Sequence, residues 1–141
     1  MTIKFAVYGE PVAQGRPRAG KDWNGNPVMY DPAKSKNFKQ YVKMEAAKHR
    51  PEKPLEGPLH VTVKVYKPML KKFSKKKLAE AEAGLLRPVT KPDVDNYVKG
   101  IKDALNKVIW KDDSQVVDLI VSKFYSETPR FEVCIEELEQ V

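Results

Sequence analysis

TKPDVDNYVKGIKDALNKVIWKDDSQVVD, the run from Thr90 to Asp118, decides how the rest of the chain is read. Tyr97, Val98, Ile101, Ala104, Leu105 and Val108 recur at the i, i+3, i+4, i+7 period of a helix with one buried face, which predicts a helix over residues 95–108. Lys99, Lys102, Asp103 and Asn106 fall off that face. Pro92 disfavours helical geometry at Lys91, so the helix begins after it and Asp93 lands at or near the N-cap. Residues two apart in an extended segment point the same way, which lets Asp93 and Asp95 converge on one cation. Hard cations such as Mg²⁺ take carboxylate oxygens. A second acidic pair, Asp112 and Asp113, follows the helix and precedes an apolar, strand-like run.

Taken singly, an Asp before a helix is a cap and Lys-Asp-Asp before a strand is a turn. Taken together, the two pairs outline a divalent-metal site built from both ends of one helix. A helix of about fourteen residues spans roughly 20 Å. The second pair therefore reaches the first only if the chain folds back, with residues 115–121 running beside the segment that carries Asp93. The spacing permits the site without requiring it.

The pattern Asp-x-Asp-Asn, a Lys one turn on, Asp-Ala-Leu, then Trp-x-Asp-Asp-x-Gln-Val-Val resembles the signature of the RusA family of crossover-junction (Holliday junction) endodeoxyribonucleases. The resemblance implies that Asp93, Asp95 and Asp113 are catalytic carboxylates holding Mg²⁺, with Mn²⁺ as a substitute, and that Lys99 is the active-site lysine. It also implies a small, dimeric, mixed α/β protein acting on four-way junction DNA. Asn96 and Asp112 are candidates for supporting the metal-binding side chains from behind.

At 141 residues, 41% apolar and 32% charged, the chain is expected to form a single domain, 1–141. No apolar run approaches a membrane span and no secretory pattern opens the chain, so no membrane partner and a cytoplasmic location, nucleoid-associated when on DNA, are expected. The lone cysteine, Cys134, excludes an internal disulfide and a cysteine-rich zinc site, and is expected to pack as a small apolar residue in the last strand. The net charge of +7 is uneven, because Glu132, Glu136, Glu137 and Glu139 crowd the C-terminus. The basic remainder favours a polyanion, nucleic acid before membrane.

Residues 2–8 alternate around Ile3, Phe5 and Val7 and predict a strand. The Gly- and Pro-rich run after it reads as a loop through Lys21, and lacks the Gly-Lys-Ser/Thr ending of a P-loop. Arg16 and Arg18 flank Pro17 there, and two forked donors on a stiffened loop suit phosphate oxygens; Lys21 extends the set. The same Gly-x-Pro…Gly-Arg-Pro-Arg run resembles the N-terminal segment of longer RusA-like proteins. A hairpin around Asn24-Gly25-Asn26 closes with Val28 and Tyr30, and a helix is expected over residues 34–49. His49 and His60 read as structural or surface residues.

Val61, Val63 and Val65 mark a strand over residues 59–66. A basic insertion, 68–90, follows, in which Ser74 caps a short helix that Gly84 ends. Its lysines, Lys71, Lys72, Lys75, Lys76 and Lys77, either grip a junction arm or keep the helix soluble. Strands are expected over 116–124 and 131–135, one of them free to dimerise at its edge, with the Trp110 region as another candidate contact. The expected fold is α+β, a mixed β-sheet of about four strands packed against two to three helices. The expected function is Mg²⁺-dependent resolution of four-way junctions by a homodimer. The alternatives are a non-catalytic basic nucleic-acid-binding protein, or a metal-dependent nuclease acting on other branched or duplex DNA.

Overall fold

Apolar side chains at every second position give three strands of a four-stranded sheet one shared buried face, and helices close over it. The computed structural model describes residues 1–15, 18–30 and 33–140. In chain order the elements are β1 (Thr2–Tyr8), β2 (Arg18–Lys21), β3 (Pro27–Tyr30), α1 (Ala33–Ala47), β4 (Leu59–Pro68), α2 (Lys75–Glu82), α3 (Val94–Leu105), a 3₁₀ turn (Asp113–Gln115), β5 (Val116–Ser126) and β6 (Arg130–Glu137). The four long strands form a mixed sheet in the order β1-β6-β4-β5, and β2 pairs with β3 in a separate ribbon. β6 runs antiparallel to both β1 and β4, while β5 runs parallel to β4. This is the α+β fold that the sequence predicts.

Ile3, Phe5 and Val7 of β1, Val61, Val63 and Val65 of β4, and Phe131, Val133 and Ile135 of β6 line the buried face. Each of the three β4 valines is 0% exposed, and burial of such a side chain stabilises the fold by about 1.5–3 kcal/mol. Val42 and Ala46 of α1, and Tyr97, Val98, Ile101, Ala104 and Leu105 of α3, cover them. His49 stacks on Phe5 at the end of this layer, a structural role, and His60 lies 3.3 Å from Asp118 on the surface.

Several boundaries differ from the sequence reading. The signature helix stops at Leu105, because Lys107 takes a positive φ of 66° and Asn106 bridges to Trp110 in a tight turn. Val108, Ile109 and Trp110 of that turn are buried all the same, which is why their spacing resembles helix. Trp110 is fully buried, and its indole N–H donates to Asn106 Oδ1 at 2.6 Å, so it is core and no contact for a second copy. The stretch read as loop through Lys21 ends in a strand, since β2 pairs with β3 across the expected Asn24-Gly25-Asn26 turn. Asp22 Oδ1 accepts from the backbone of Asn24 and Asn26 there, and Gly25 adopts a φ of 80°. Cys134 pairs with Lys4 and Thr62, on the sheet face away from the helices, and is only half-buried. The insertion has its expected short helix, with Ser74 Oγ accepting from the Lys77 N–H and Gly84 at a φ of 80°.

A candidate metal and nucleic-acid site

Asp93 occupies the N-cap of α3 in extended conformation, yet its side chain makes no capping hydrogen bond. That sets it apart from Ser74 and Asp112, which both cap through their side chains. An N-cap carboxylate normally accepts from the first-turn N–H groups. Asp93 instead leaves its oxygens open, and Asp95 and Lys99 are likewise exposed on the first turns of α3. Asn96 is exposed too, and its carbonyl accepts the Gln14 N–H at 2.9 Å. Gly15, the last described residue before Arg16, donates to Ser35 Oγ at 2.8 Å. The chain thus enters the Arg-Pro-Arg run from beside the first turn of α3. Arg16 and the side chain of Arg18 lie outside the described residues; Lys21 is exposed on β2.

Two lysines fix the backbone just ahead of Asp93. Lys123 Nζ of β5 donates to the carbonyls of Thr90 at 2.8 Å and Pro92 at 3.1 Å, and Lys67 Nζ of β4 donates to the Lys91 carbonyl at 3.2 Å. Burial, helped by the charge of Lys123, holds the Lys67 ammonium below the usual lysine range, against an opposing pull from Glu10. Burial and then the same Glu10 charge raise the Tyr97 phenol. Glu10, Lys67 and Lys123 therefore belong to the electrostatics at the start of α3, although no motif contains them. Their one signal in the sequence is alternation. Lys67 and Lys123 continue the inward faces of Val61-Val63-Val65 and Leu119-Val121, where an apolar residue is due next.

Asp113 stands at the opposite end. Tyr97 meets Phe131 edge-on at 5.9 Å, Phe131 pairs with Val65, and Val65 pairs with Lys123, so the first turns of α3 lie level with Lys123. α3 then runs antiparallel to β5, toward the turn where Trp110 bridges Asn106 and Leu55. Asp113 opens the 3₁₀ turn just beyond, ahead of Val116, which pairs with Leu59. At the strand rise, Lys123 and Val116 are separated by about 20 Å. The chain does fold back beside the segment carrying Asp93, but it is Lys123 and not residues 115–121 that meets it. Among the described residues, no group of three or more His, Cys, Asp or Glu side chains lies close enough to hold a metal ion.

The Asp113 turn is nevertheless built rigidly. Gln115 Nε2 donates to the Leu55 and Gly57 carbonyls at 2.8 and 3.0 Å, while its Oε1 accepts the Asp112 N–H at 2.7 Å. Asp112 Oδ2 accepts the Ser114 N–H at 3.0 Å, completing a reciprocal capping box. Hydrogen bonds from the Ser114 side chain, and then from its backbone, hold the Asp112 carboxyl below its usual range. Asp112 thus shapes the turn, and Asp113 presents a half-exposed carboxylate from it.

The insertion docks on β5 close to the Asp93 end. Phe73 meets Tyr125 edge-on at 5.2 Å, Arg87 lies 4.2 Å over the Phe124 ring and donates to the Lys123 carbonyl, and Glu82 accepts from Ser126. Lys71, Lys72, Lys75, Lys76 and Lys77 are all exposed. No described helix is long and apolar enough to cross a membrane.

Residues 8–136 match the family model described as Endodeoxyribonuclease RusA. Over 138 residues the chain is 68% identical to a curated protein of Bacillus subtilis (strain 168), uncharacterized protein YqaN, and the match covers 96% of each.

Proposed function

From the premise that this chain belongs to the RusA endodeoxyribonuclease family, we propose that it is a Mg²⁺-dependent nuclease that resolves four-way DNA junctions by paired phosphodiester hydrolysis. The family supplies the broader class, a hydrolase of DNA. The observation that carries the finer reading is Asp93, a carboxylate at a helix N-cap that does no capping and sits beside Asp95. Exposed oxygen donors of this kind fit a hard divalent cation, Mg²⁺ or Mn²⁺ in its place, and offer nothing to softer metals.

In this reading Asp93, Asp95 and Asp113 are the metal-binding carboxylates. When bound, a divalent cation supplies a water of lowered pKa and neutralises charge on the scissile phosphate. The chain's own residues orient the reactants. Lys123 and Lys67 hold the entry to α3 by its carbonyls, and so hold Asp93. Lys99, four residues from Asp95 on the helix, faces the phosphate and stabilises the charge that builds on it. Asn96 steadies the first turn of α3 through its carbonyl bond to Gln14, and Asp112 orders the turn that bears Asp113. Arg16, Arg18, Lys21 and the insertion lysines Lys71, Lys72, Lys75 and Lys76 contact DNA phosphates. Two matched cuts in a two-fold symmetric junction call for a homodimer.

The test is cleavage of a synthetic four-way junction, with linear duplex as competitor, in the presence and absence of Mg²⁺. Asp93→Asn, Asp95→Asn and Asp113→Asn should each abolish cleavage while retaining junction binding, since none removes a basic group. Cleavage that survives chelation, or that persists in all three variants, overturns the proposal. Equal cutting of linear duplex reassigns the substrate.

A further inference from the structure

We propose that Trp23, at the tip of the β2–β3 ribbon, stacks on a base exposed at the branch point of a four-way junction, and so makes the chain prefer junctions to linear duplex. The inference rests on the proposed function, because it takes a four-way junction as the substrate. The chain has two tryptophans, and their surroundings are opposite. Trp110 is 0% exposed, whereas Trp23 is 104% exposed, as open to water as in an extended chain. Tryptophan is highly buried on average. Leaving its ring in water forgoes the stabilisation that burial of a large aromatic brings. A ring held out in this way is available to a partner with a flat apolar face.

The ribbon orders its own tip. Asp22 Oδ1 accepts the N–H groups of Asn24 at 2.9 Å and Asn26 at 2.8 Å. The Asp22 N–H donates to the Asn26 carbonyl at 2.9 Å, and the Gly25 N–H donates to the Asp22 carbonyl at 3.0 Å. Gly25 supplies the φ of 80° that this turn requires. Among the described residues, β2 and β3 pair only with each other, and none of their described side chains joins the hydrophobic core. Hydrogen bonds within the turn, and not packing beneath it, hold Trp23 in place.

The root of the ribbon lies beside the candidate site. Gly15, just ahead of β2, donates to Ser35 Oγ at the start of α1, the helix that follows β3. Its neighbour Gln14 donates to the Asn96 carbonyl in the first turn of α3. Arg18 opens β2 opposite Tyr30, Lys21 closes it opposite Pro27, and Trp23 stands beyond both. From Arg18 to the tip is about 10–15 Å at the strand rise, or about three to four base pairs at 3.4 Å each. With Arg18 and Lys21 on phosphates, the indole therefore meets DNA within a few base pairs of the ribbon's root. Where four duplexes meet, the base pair that ends an arm can lose its stacking neighbour on one side. The interior of a linear duplex offers no such face. An indole covers it whichever base presents it, because every base has a π-face.

Binding without cleavage tests the stack. With a chelator present, wild type and variants are titrated by fluorescence anisotropy onto a four-way junction and onto a linear duplex of the same arm sequence. Trp23→Ala should weaken junction binding by about 5- to 150-fold, the loss of one base–aromatic stack, and leave duplex binding unchanged. Trp23→Phe should keep most of the junction affinity, because a phenyl ring still stacks. Neither variant should move the urea midpoint, and neither should change the salt slope, since no phosphate contact is lost. Acrylamide reads the contact directly. It should quench Trp23 in the free protein, and saturating junction, but not duplex, should protect it, with buried Trp110 as a constant background. Equal junction affinity for wild type and Trp23→Ala, an equal loss on junction and duplex, or a Trp23 as quenchable on the junction as in the free protein each overturns the stack and leaves the proposed function standing. A wild-type chain that binds junctions no better than duplex overturns the junction reading, and the stack with it.

Discussion

Asp93, proposed as a metal-binding carboxylate, and Gln115, which ties a turn together, contrast two uses of a single side chain. Asp93 sits where a cap belongs and does not cap, whereas Gln115, which carries no charge, ties three backbone groups from two segments. Losing Gln115 takes its donor from the partly buried Gly57 carbonyl and one of two donors from the Leu55 carbonyl, which keeps the Lys111 N–H, and an unmet buried acceptor costs about 1–3 kcal/mol. Gln115→Ala should therefore lower stability by about 1–3 kcal/mol, read as a fall in the urea midpoint. It should also lower cleavage, because Asp113 is presented from that turn. Asp112 makes the same turn sensitive to acid. Its carboxyl is held below the usual range by Ser114 in the folded state, so its contribution is present above the ordinary Asp pKa and is lost as pH falls through the lower folded value. Urea midpoints followed from neutral pH downward should show that acid loss in wild type and a smaller one in Asp112→Asn. A turn indifferent to both changes would mean that the capping box contributes nothing to it.

At the scale of elements, β-period and helix-period patterns locate β1, β4, α3 and β6 to within a few residues, because each has one clearly apolar face, and apolar residues mark α1 and β5 with less regular burial. The short ribbon strand β2 escaped, since Arg-Ala-Gly-Lys has no alternation and is held only by pairing with β3. The end of α3 was overrun because Val108, Ile109 and Trp110 are buried in a turn whose spacing mimics a helix. The insertion was legible as a capped helix but not in its location. Phe73, Arg87 and Glu82 place it on the end of β5 nearest Asp93 through interactions that no local pattern encodes. That location favours a DNA-gripping role for its exposed lysines over a merely solubilising one. Lys71→Gln, Lys72→Gln, Lys75→Gln and Lys76→Gln together should leave the melting temperature unchanged, since all four are exposed. For every lysine that had been neutralising a DNA phosphate, the plot of log affinity against log salt should flatten by about 0.9 on duplex arms. An unchanged slope in fluorescence anisotropy titrations would return the insertion to the role of a soluble brace.

For the whole molecule, the sequence motif names three aspartates but says nothing of strand order or direction, and these decide where Asp113 stands. β5 pairs with β4, a strand more than forty residues earlier, and that non-local pairing sends it antiparallel to α3. The acidic pairs that share one motif end up at opposite ends of α3. If Asp93, Asp95 and Asp113 form one metal-binding set, either one chain holds them all or two copies share them, and dilution separates the two cases. If one chain held a whole site, dilution below the dimer dissociation constant would abolish paired cutting but leave single nicks, with a rate linear in protein concentration. If the site is shared, a monomer has no complete site, and the nicking rate should fall as the square of concentration. Sedimentation should give twice the 16.1 kDa chain mass above that constant and the single mass below it. Initial nicking rates measured across the same dilution series, with junction in excess of protein, should bend from slope one to slope two on logarithmic axes where the mass changes. A slope that stays at one through the dissociation midpoint would place all three aspartates of a working site in a single chain.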